Sequence, residues 1–505
     1  MKLTSKLIIC VVAAACGIPT IQAEEPVAKN LYDFDFIEQT NPWLTSYNGA
    51  GLRWLKVPST SQVEAFYSKS NGDFKNYYES NDSYTFGLNA ESYYTLKRTT
   101  FYGKAAYENF MGNEMTGSVW IDPYDAPFNI LEYYDTDAGT KNREKYMIAA
   151  GVGYDLAKGL RIGARFDYTA TNYAKRKDLR HTNTQLDMNL TAGLTYTLAD
   201  RFTIGANYIY ARNIEEVDYD TYGTIDKQYY IHIAPGAFYG NWELFGGNGY
   251  TAGSSAVPLF NEYQGVAAQL AFNTQKVDIF YEFTYKSREG YYGFKHAVYY
   301  PQLTEHESDI FEHNAYAAVK GDRSVHKLSA NIAYQDLDNY ELAYESGRDH
   351  SGTYYITYFG RNQNNNRQTL SIDGEYQSAW GLEGLTPRWI VSIDGLYWQQ
   401  NITASIYPFY RDQKIKQAAA NLSVQRNFFI GRNLIGVSLK GGYAKGGGFE
   451  KKDGIYITPS ASTAVPRESC WTSVRARSRP STSRREPSPA DSSRLSSRER
   501  WPANS

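Results

Sequence analysis

Residues 151–168 read GVGYDLAKGLRIGARFDY, and residues 193–210 read GLTYTLADRFTIGANYIY, so the second stretch nearly repeats the first. Each copy holds two runs of alternating apolar and polar side chains on either side of a short turn. In the first copy Tyr146, Ile148 and Val152 share one face with other apolar residues, while the glycines and Asp155 share the opposite face. A period of two indicates a strand, so this region is predicted to form two β-hairpins in series.

The length and polarity of these strands favour a membrane. Soluble strands average roughly five or six residues, whereas these alternating runs are about ten residues or longer, the length that a tilted barrel strand needs to cross a bilayer. Tyrosines lie at the ends of the apolar faces, where amphipathic rings suit the boundary between lipid and water. The sequence therefore predicts an all-β fold, a transmembrane antiparallel β-barrel. A large soluble β-sandwich or lectin-like barrel is the alternative.

Short and long connections alternate along the chain. Short turns are predicted at 97–98, 157–159 and 273–276, and long connections at 111–145, 213–262 and 287–312. Outer-membrane barrels place short turns in the periplasm and long loops outside. We expect roughly 14 to 16 strands, with boundaries uncertain by about two to four residues.

The first residues resemble an export signal. Lys2 and Lys6 precede a short apolar run, and Ala23 offers a small residue before Glu24. We predict a signal peptide over 1–23 and the outer-membrane β-barrel over 24–460. The alternative is a lipoprotein modified at Cys16, which a free Glu24 at the mature N-terminus would exclude.

The composition excludes several classes of protein. No run of about 18 apolar residues follows the signal, so helical spans are not expected. A mean hydropathy of −0.55 is compatible with a barrel because its strands dilute apolar residues by half. Cys10 and Cys16 lie in the signal and Cys470 near the other end, so neither a disulfide nor a cysteine metal site is expected in the barrel. A net charge of −2 argues against nucleic acid as a partner.

Residues 461–505 do not continue the pattern. They are rich in Arg, Ser and Pro, and alternation stops. Such a segment is typical of a disordered tail, but on an exported barrel we favour a shifted reading frame. An aromatic, alternating strand in another frame of the gene would support the shift, and stop codons in both other frames would contradict it.

The chemistry-bearing residues give weak signals. His296, His306 and His313 share one predicted loop with several carboxylates, yet nothing fixes their spacing, so no metal site is expected. The histidines lack a serine-centred nucleophile motif. We therefore expect no catalytic residues, no cofactor and no enzymatic activity, an outer-membrane hydrolase being the least expected function.

The inward faces of the strands suggest a function. Mixed charges there can line a water-filled pore and set its selectivity, and about 16 strands usually enclose a channel. The candidate pore-lining residues are Arg161, Arg165, Asp167, Asp187, Asn189, Asn207, Asp278, Glu282 and Lys286. We expect a porin-like channel for small solutes. The alternative is a non-conducting structural or binding barrel whose loops at 111–145 and 213–262 contact a glycan or a partner. The expected partners are outer-membrane lipid, the barrel-assembly machinery, and a small solute or glycan.

Two short motifs and the hairpin series point to a family. Asn41-Pro42-Trp43-Leu44 and Gly49-Ala50-Gly51-Leu52 precede the first strands. Together with the hairpins they resemble a Bacteroides-type family of uncharacterised outer-membrane β-barrel proteins, over roughly residues 30 to 458. The resemblance implies the fold and the outer membrane, and it implies no chemistry.

Overall fold

The computed structural model of the protein describes residues 33–456, except 74, 133–136, 223–227, 248, 254, 296, 298, 431–432 and 450. The predicted signal peptide, Cys16 and the Arg/Ser/Pro-rich tail lie outside the described residues. None of the helices in the described part is long and apolar enough to cross a membrane.

Long antiparallel strands dominate the chain. They form one 16-stranded sheet, in which each strand pairs with the next large strand along the chain. The strands of this sheet are β1 (Ser59–Asn71), β2 (Asp82–Leu96), β3 (Thr99–Met115), β6 (Gly139–Ala157), β7 (Leu160–Lys175), β8 (Arg180–Leu198), β9 (Phe202–Asp220), β12 (Val257–Asn273), β13 (Val277–Gly293), β14 (Gln302–Lys320), β15 (Ser324–Arg348), β16 (Tyr354–Trp380), β17 (Trp389–Ile406), β18 (Phe409–Ile430), β19 (Asn433–Gly448) and β20 (Lys452–Ile455).

A second sheet forms from the two longest connections. Its strands are β4 (Gly117–Ser118), β5 (Asn129–Glu132), β10 (Tyr230–Gly236) and β11 (Tyr239–Leu244), joined in the order β11-β10-β5-β4. We call the described residues of 116–138 and 221–256 the hatch. They share an apolar cluster that includes Trp120, Phe128, Ile231 and Tyr250.

Between residue 33 and β1 the described chain contains three short helices. They are α1 (Phe34–Gln39), α2 (Pro42–Thr45) and a 3₁₀ helix over Gly49–Trp54. Two of these helices are capped at their N-termini by a side chain. Asp33 Oδ1 accepts a hydrogen bond from the Phe36 amide at 3.0 Å, and Asn48 Oδ1 accepts one from the Ala50 amide at 3.1 Å. These contacts satisfy amide groups that have no partner within a helix. We call residues 33–57 the plug.

The predicted hairpins are confirmed. In β6–β7 Val152 is paired with Ala164, and in β8–β9 Leu194 is paired with Ala206. The first turn contains Gly159 at φ +77°, a left-handed conformation that favours glycine. The short turns, including those at 97–98, 158–159 and 274–276, lie at one end of the sheet.

Contacts of the plug show that the sheet curls around it. Phe34 packs against Tyr93 of β2, while Phe36, two residues further on, packs against Ile390 of β17. These strands lie far apart in the strand order, so a single short helix can touch both only if the sheet encloses it. The fold is a transmembrane antiparallel β-barrel with the plug in its lumen.

The outward face is apolar and bounded by aromatic rings. Exposed Ile148, Leu190 and Val266 occupy its middle. Near the short turns lie Tyr94, Phe101, Tyr154, Tyr196, Phe202, Trp380 and Trp389, all exposed. Further along, Tyr107 packs against Tyr146 with ring centroids 5.1 Å apart. An apolar band between aromatic girdles is the surface that a barrel presents to lipid.

The two edge strands run in the same direction. β1 starts beside the first short turn, where Ser59 is paired with Tyr94, and β19 starts beside the last, where Asn433 is paired with Ile430. Within the described residues β1 pairs with β2, and β19 with β18. Closing the cylinder by antiparallel pairing would therefore take one further strand between these edges, because exposed edges are costly in lipid.

One predicted long loop is wrong. Residues 287–312 were expected to connect two strands, but β13 continues to Gly293 and β14 begins at Gln302. Polar residues on both faces hid the strand pattern, because these strand ends extend beyond the apolar band. His306 and His313 therefore lie on opposite faces of β14, and His296 lies outside the described residues.

Candidate functional site

The sequence-predicted pore-lining residues share the inward face of the barrel. Register places Arg165 beside Thr191, and Asp167 beside Asn189, on β7 and β8. Lys286 faces the plug, since its Nζ lies 3.3 Å from the Tyr47 hydroxyl. The inward orientation is thus observed, whereas lining of a conducting pore remains a prediction, because the plug and the hatch occupy the lumen.

Inward glycines form the bed on which the plug lies. A Cβ atom on Gly163 would overlap the backbone of Gly49 and Ala50, and one on Gly193 would overlap the Asn48 side chain. Seen from the plug, a Cβ on Gly49 would lie 2.7 Å from the Ala164 backbone. The glycines of the repeated hairpins therefore allow a close backbone approach, one of the recognised reasons for glycine inside a strand.

Asn48 fastens the plug to three strands. Its Nδ2 donates to the Leu194 carbonyl at 3.0 Å, the Ala206 carbonyl at 3.3 Å and Gln269 Oε1 at 3.0 Å. Asn48 is 1 % exposed, so these bonds form away from solvent. Losing such a side chain leaves its buried partners unsatisfied, which costs about 1–3 kcal/mol.

An ion pair fixes the plug beside the short turns. Arg53 Nε donates to Asp155 Oδ2 at 3.0 Å, and Arg161 Nε contacts the same carboxylate at 3.2 Å. The Arg161 guanidinium also lies 4.2 Å from the Trp54 ring centroid, within the range of a cation–π contact. The candidate Arg161 thus serves as a plug contact in this structure.

The opposite wall holds the plug by apolar and charged contacts. Trp43 stacks on Trp54 at 4.4 Å and meets Phe280 edge-on at 4.9 Å. Nearby, Lys286 Nζ is 2.7 Å from Glu312 Oε1. Both ends of this pair are nearly buried, so the pair has little exposure to water.

The hatch is joined to the wall by a buried ionic cluster. Glu132 of β5 forms an ion pair with Lys175, whose Nζ lies 2.5 Å from Glu132 Oε2. The Nζ of Lys141 lies 3.8 Å from Glu132 Oε1. Lys141 also donates to the Ser118 carbonyl at 2.9 Å. The three side chains are at most 1 % exposed, so both lysine charges depend on the single Glu132 carboxylate for stabilisation.

A second anchor lies on a turn of the hatch. Arg288 of β13 donates to the carbonyl and the carboxylate of Asp125, both at 3.0 Å. Arg367 of β16 donates to the Ala126 carbonyl at 2.9 Å. Because β13 and β16 are separate parts of the wall, this turn spans the lumen between them.

Asp122 shapes the turn that presents Asp125. Its Oδ1 accepts from the amides of Tyr124 and Asp125 at 3.0 and 3.3 Å. Burial, and after it the nearby Asp125 carboxylate, raise the pKa of Asp122 to about 6, against the lowering effect of the two amide hydrogen bonds.

A polar layer lies between the plug and the hatch on β7–β9. Arg165 Nε is 2.9 Å from Asp167 Oδ2, and Asp187 and Asn189 lie on the adjoining strand. The Thr191 hydroxyl is buried and has no hydrogen-bond partner among the residues that the structure describes. Further inward-facing polar atoms share this property: Thr171 Oγ1, Asn189 Oδ1, Asn207 Nδ2, Asn213 Nδ2 and Thr284 Oγ1. Buried polar atoms of this kind bind water or a polar solute.

The other candidates pair with each other or with the wall. Gln269 Nε2 donates to Asn207 Oδ1 at 2.7 Å and to Glu282 Oε2 at 2.9 Å. Asp278 forms an ion pair with Lys320. No cluster of three or more metal-ligating side chains occurs in the part of the chain that the structure describes.

Sequence reasoning missed the residues that occupy the lumen, namely Asn48, Asp125 and Glu132. One signal was present: inward glycines at 151, 153, 163, 193 and 205 recur on neighbouring strands, opposite a Gly-Ala-Gly motif at 49–51. A row of residues without side chains indicates that a backbone lies against the wall.

The fold and its filled lumen define a plugged β-barrel of the outer-membrane type. The chain belongs to a family of unknown function, DUF6850, whose model matches residues 49–456. No curated protein matches the chain.

Solved structures with a similar fold have low sequence identity. The chain is similar to BauA, the ferric preacinetobactin receptor of Acinetobacter baumannii, with 10 % identity, a TM-score of 0.31, and coverage of 77 % of this chain and 75 % of the other. The toluene transporter TodX of Pseudomonas putida has 11 % identity and a TM-score of 0.31, with coverage of 72 % of this chain and 91 % of the other. FauA, the alcaligin outer membrane receptor of Bordetella pertussis, has 8 % identity and a TM-score of 0.33, with coverage of 76 % of this chain and 70 % of the other. None of these similarities bears on what this protein transports or binds.

Proposed function

We propose that the protein is an outer-membrane channel for small polar solutes that is closed at rest and opens when the plug leaves its bed. The supporting observation is the contrast between the wall and its contents. The inward wall carries charges and buried polar atoms without hydrogen-bond partners among the described residues, as an aqueous route requires, while the plug blocks that route at the short-turn end and the hatch occupies its other end.

The plug is the better candidate for the moving part. In the described part of the chain it continues into the barrel wall through Val57 and Pro58, and its 3₁₀ helix lies against inward glycines. Its polar contacts with the wall, among them those of Asn48 and Arg53, are made by single side chains whose bonds can be exchanged for water. Export by residues 1–23 and insertion by the barrel-assembly machinery belong to the same proposal.

A disulfide between the plug and the inward glycines of the wall tests whether the plug must move for the channel to open. The Leu52 Cβ lies 3.2 Å from where a Cβ on Gly153 would be, a few tenths of an ångström below the usual span of about 3.5–4.5 Å. In the folded barrel from Glu24 carrying Cys470→Ser, Leu52→Cys with Gly153→Cys should abolish single-channel openings in a planar bilayer when oxidised. Dithiothreitol should restore them, and Leu52→Cys alone should respond to neither condition.

Two results would contradict the proposal. Unchanged openings in the oxidised double variant would show that the plug is not the gate. Absence of openings in every sample, including Asn48→Ala, would support the non-conducting barrel instead.

Selectivity tests the polar layer. Arg165→Ala leaves Asp167 without its ion-pair partner, so the open channel should shift toward cations, by about a few-fold in permeability ratio at low salt because nearby charge attracts counter-ions. The matched control is Arg98→Ala, since Arg98 lies in the short turn between β2 and β3, over the lipid-facing Tyr154 ring. An unchanged ratio would place the conducting route elsewhere.

A further inference from the structure

An open cleft lies at the far tips of the longest strands, away from the plug. It has a volume of about 610 Å³ and lies between the β13–β14 connection and the start of β16. Its polar lining includes Lys295, Gln302 and Glu305, and its aromatic lining Tyr354, Tyr355 and Tyr358. The volume is within the range of roughly 300–1,000 Å³ that small-ligand sites occupy.

The cleft is outside the bilayer. On β16, Tyr358 is separated from the lipid-facing Ile372 by roughly 46 Å of strand, at about 3.3 Å per residue, which is about 33–38 Å along the membrane normal at a strand tilt of about 35–45°. The hydrocarbon core is only about 30 Å thick. The tyrosines therefore lie in water, where exposed aromatic rings are not explained by contact with lipid.

Polar contacts, rather than burial, hold these rings. The Tyr358 hydroxyl accepts from the Gln302 amide at 2.8 Å and so joins the two sides of the cleft. Tyr354 meets Tyr299 edge-on with centroids 5.1 Å apart, and the Arg348 guanidinium lies 5.0 Å from the Tyr354 ring centroid. Tyr355 and Tyr358 keep 38 % and 44 % of their surface exposed. The rings are thus oriented but available, which lowers the entropy cost of binding.

The polar groups of the cleft favour a ligand with hydroxyl groups. Gln302 Nε2 donates to Glu305 Oε1 at 3.0 Å and to the Thr304 carbonyl at 3.4 Å, which leaves the amide oxygen of Gln302 for a ligand. Lys295 offers donors, and Glu305, whose Oε2 lies 3.7 Å from Arg361, offers acceptors, so the cleft presents charges of both signs. An anion would meet Glu305, and a cation would meet Lys295 and Arg348. A purely apolar ligand would leave these polar groups without partners.

We propose that this cleft binds neutral hexose oligosaccharides from outside the cell. Tyr354 and Tyr358 would pack against the C–H faces of the sugar rings, whose weakly positive hydrogens suit the negative face of an aromatic ring. Glu305, Gln302 and Lys295 would bind the ring hydroxyls. This site differs from the loops at 111–145 and 213–262, for which contact with a glycan or a partner was the alternative prediction and whose central parts form the hatch.

Titration calorimetry on the full-length folded barrel tests the site, with maltohexaose, laminarihexaose, cellohexaose and mannohexaose as probes. The detergent should be lauryldimethylamine oxide, because maltoside and glucoside head groups would compete for the cleft. We expect at least one probe to bind, and Tyr354→Ala to weaken it about tenfold or more, as removal of a central aromatic contact does. Heat-dependent gel mobility confirms that each variant is folded.

Tyr222→Ala is the matched control. Tyr222 is also an exposed tyrosine beneath a guanidinium, that of Arg180 at 4.4 Å, but it does not line this cleft, so binding should be unchanged. The proposal is overturned if no probe binds more tightly than about 10 mM, or if Tyr222→Ala weakens binding as much as Tyr354→Ala. Neither result depends on conductance, so the channel proposal is judged separately.

Discussion

The plug is one continuous run of chain at the short-turn end of the lumen, whereas the hatch is assembled from two segments about 100 residues apart in sequence. The plug has short helices and shares its apolar contacts with the wall. The hatch has its own four-stranded sheet and an apolar cluster to which hatch residues contribute many members. Its charges are buried in pairs, while the plug depends on Asn48 and on Arg53, whose partner Asp155 is partly exposed.

This difference indicates which segment can move. Breaking a buried ion pair leaves an uncompensated charge and costs about 3–5 kcal/mol, whereas a single exchangeable hydrogen bond contributes about 0.5–1.5 kcal/mol. The buried ion pairs of the hatch are the reason for proposing the plug, rather than the hatch, as the segment that moves.

The largest effect is expected from Glu132→Ala. Removing this carboxylate leaves Lys141 and Lys175 buried without their counter-charge, so local unfolding of the hatch should become easier by about 3–5 kcal/mol. Limited chymotrypsin digestion of the folded barrel should then cut at the aromatic residues of the hatch much faster than in the wild type.

Glu216→Ala is the control for this variant, because Glu216 lies on the exposed face of β9. Wild-type resistance of the hatch in Glu132→Ala would show that the ionic cluster does not hold it.

Gly163→Ala should act on the plug alone. The added methyl group overlaps the backbone of Gly49 and Ala50, and such overpacking typically costs about 1–3 kcal/mol. We expect trypsin to cut at Arg53 or Lys56 faster, while the hatch remains as resistant as in the wild type.

Gly374→Ala provides the comparison, since its Cβ would have no heavy atom within 4 Å. Equal cleavage of the plug in both alanine variants would contradict the prediction that the inward glycines allow the plug to pack closely against the wall.

The smallest effect is a pH dependence of the hatch. Asp122 has a raised pKa of about 6 in the folded protein, against about 3.9 in an unfolded chain. The folded state therefore keeps a proton that the unfolded state loses. This stabilisation is fully present below about pH 4 and is lost as the pH rises toward and through 6. Cleavage of the hatch by a protease active at both values should be slower at pH 5 than at pH 7.

Asp122→Asn should reduce that difference, because an amide has no proton to lose over this range. An equal pH response in the variant would assign the dependence to other groups.

Local patterns allowed much of the wall to be predicted from the sequence. The hairpins around 158–159 and 199–201 are confirmed because alternation and turn residues lie within a few positions of each other. The strand ends near 287–312 were missed, since outside lipid both faces of a strand can be polar and the period of two disappears. Arg165, Asp167 and Lys286 were correctly expected to face inward for the same reason that the strands were found.

What fills the barrel could not be read from the sequence in this way. Asn48 bonds to residues near 194, 206 and 269, and Asp125 reaches Arg288 and Arg367. No local period encodes partners so distant in the chain. The sequence by itself determined an alternating wall with an apolar outer face, because the direction of a side chain from a strand is a local property. Only the tertiary structure decided that the lumen holds a plug and a hatch, because a backbone can lie on a row of glycines only after the sheet has curled to bring them together.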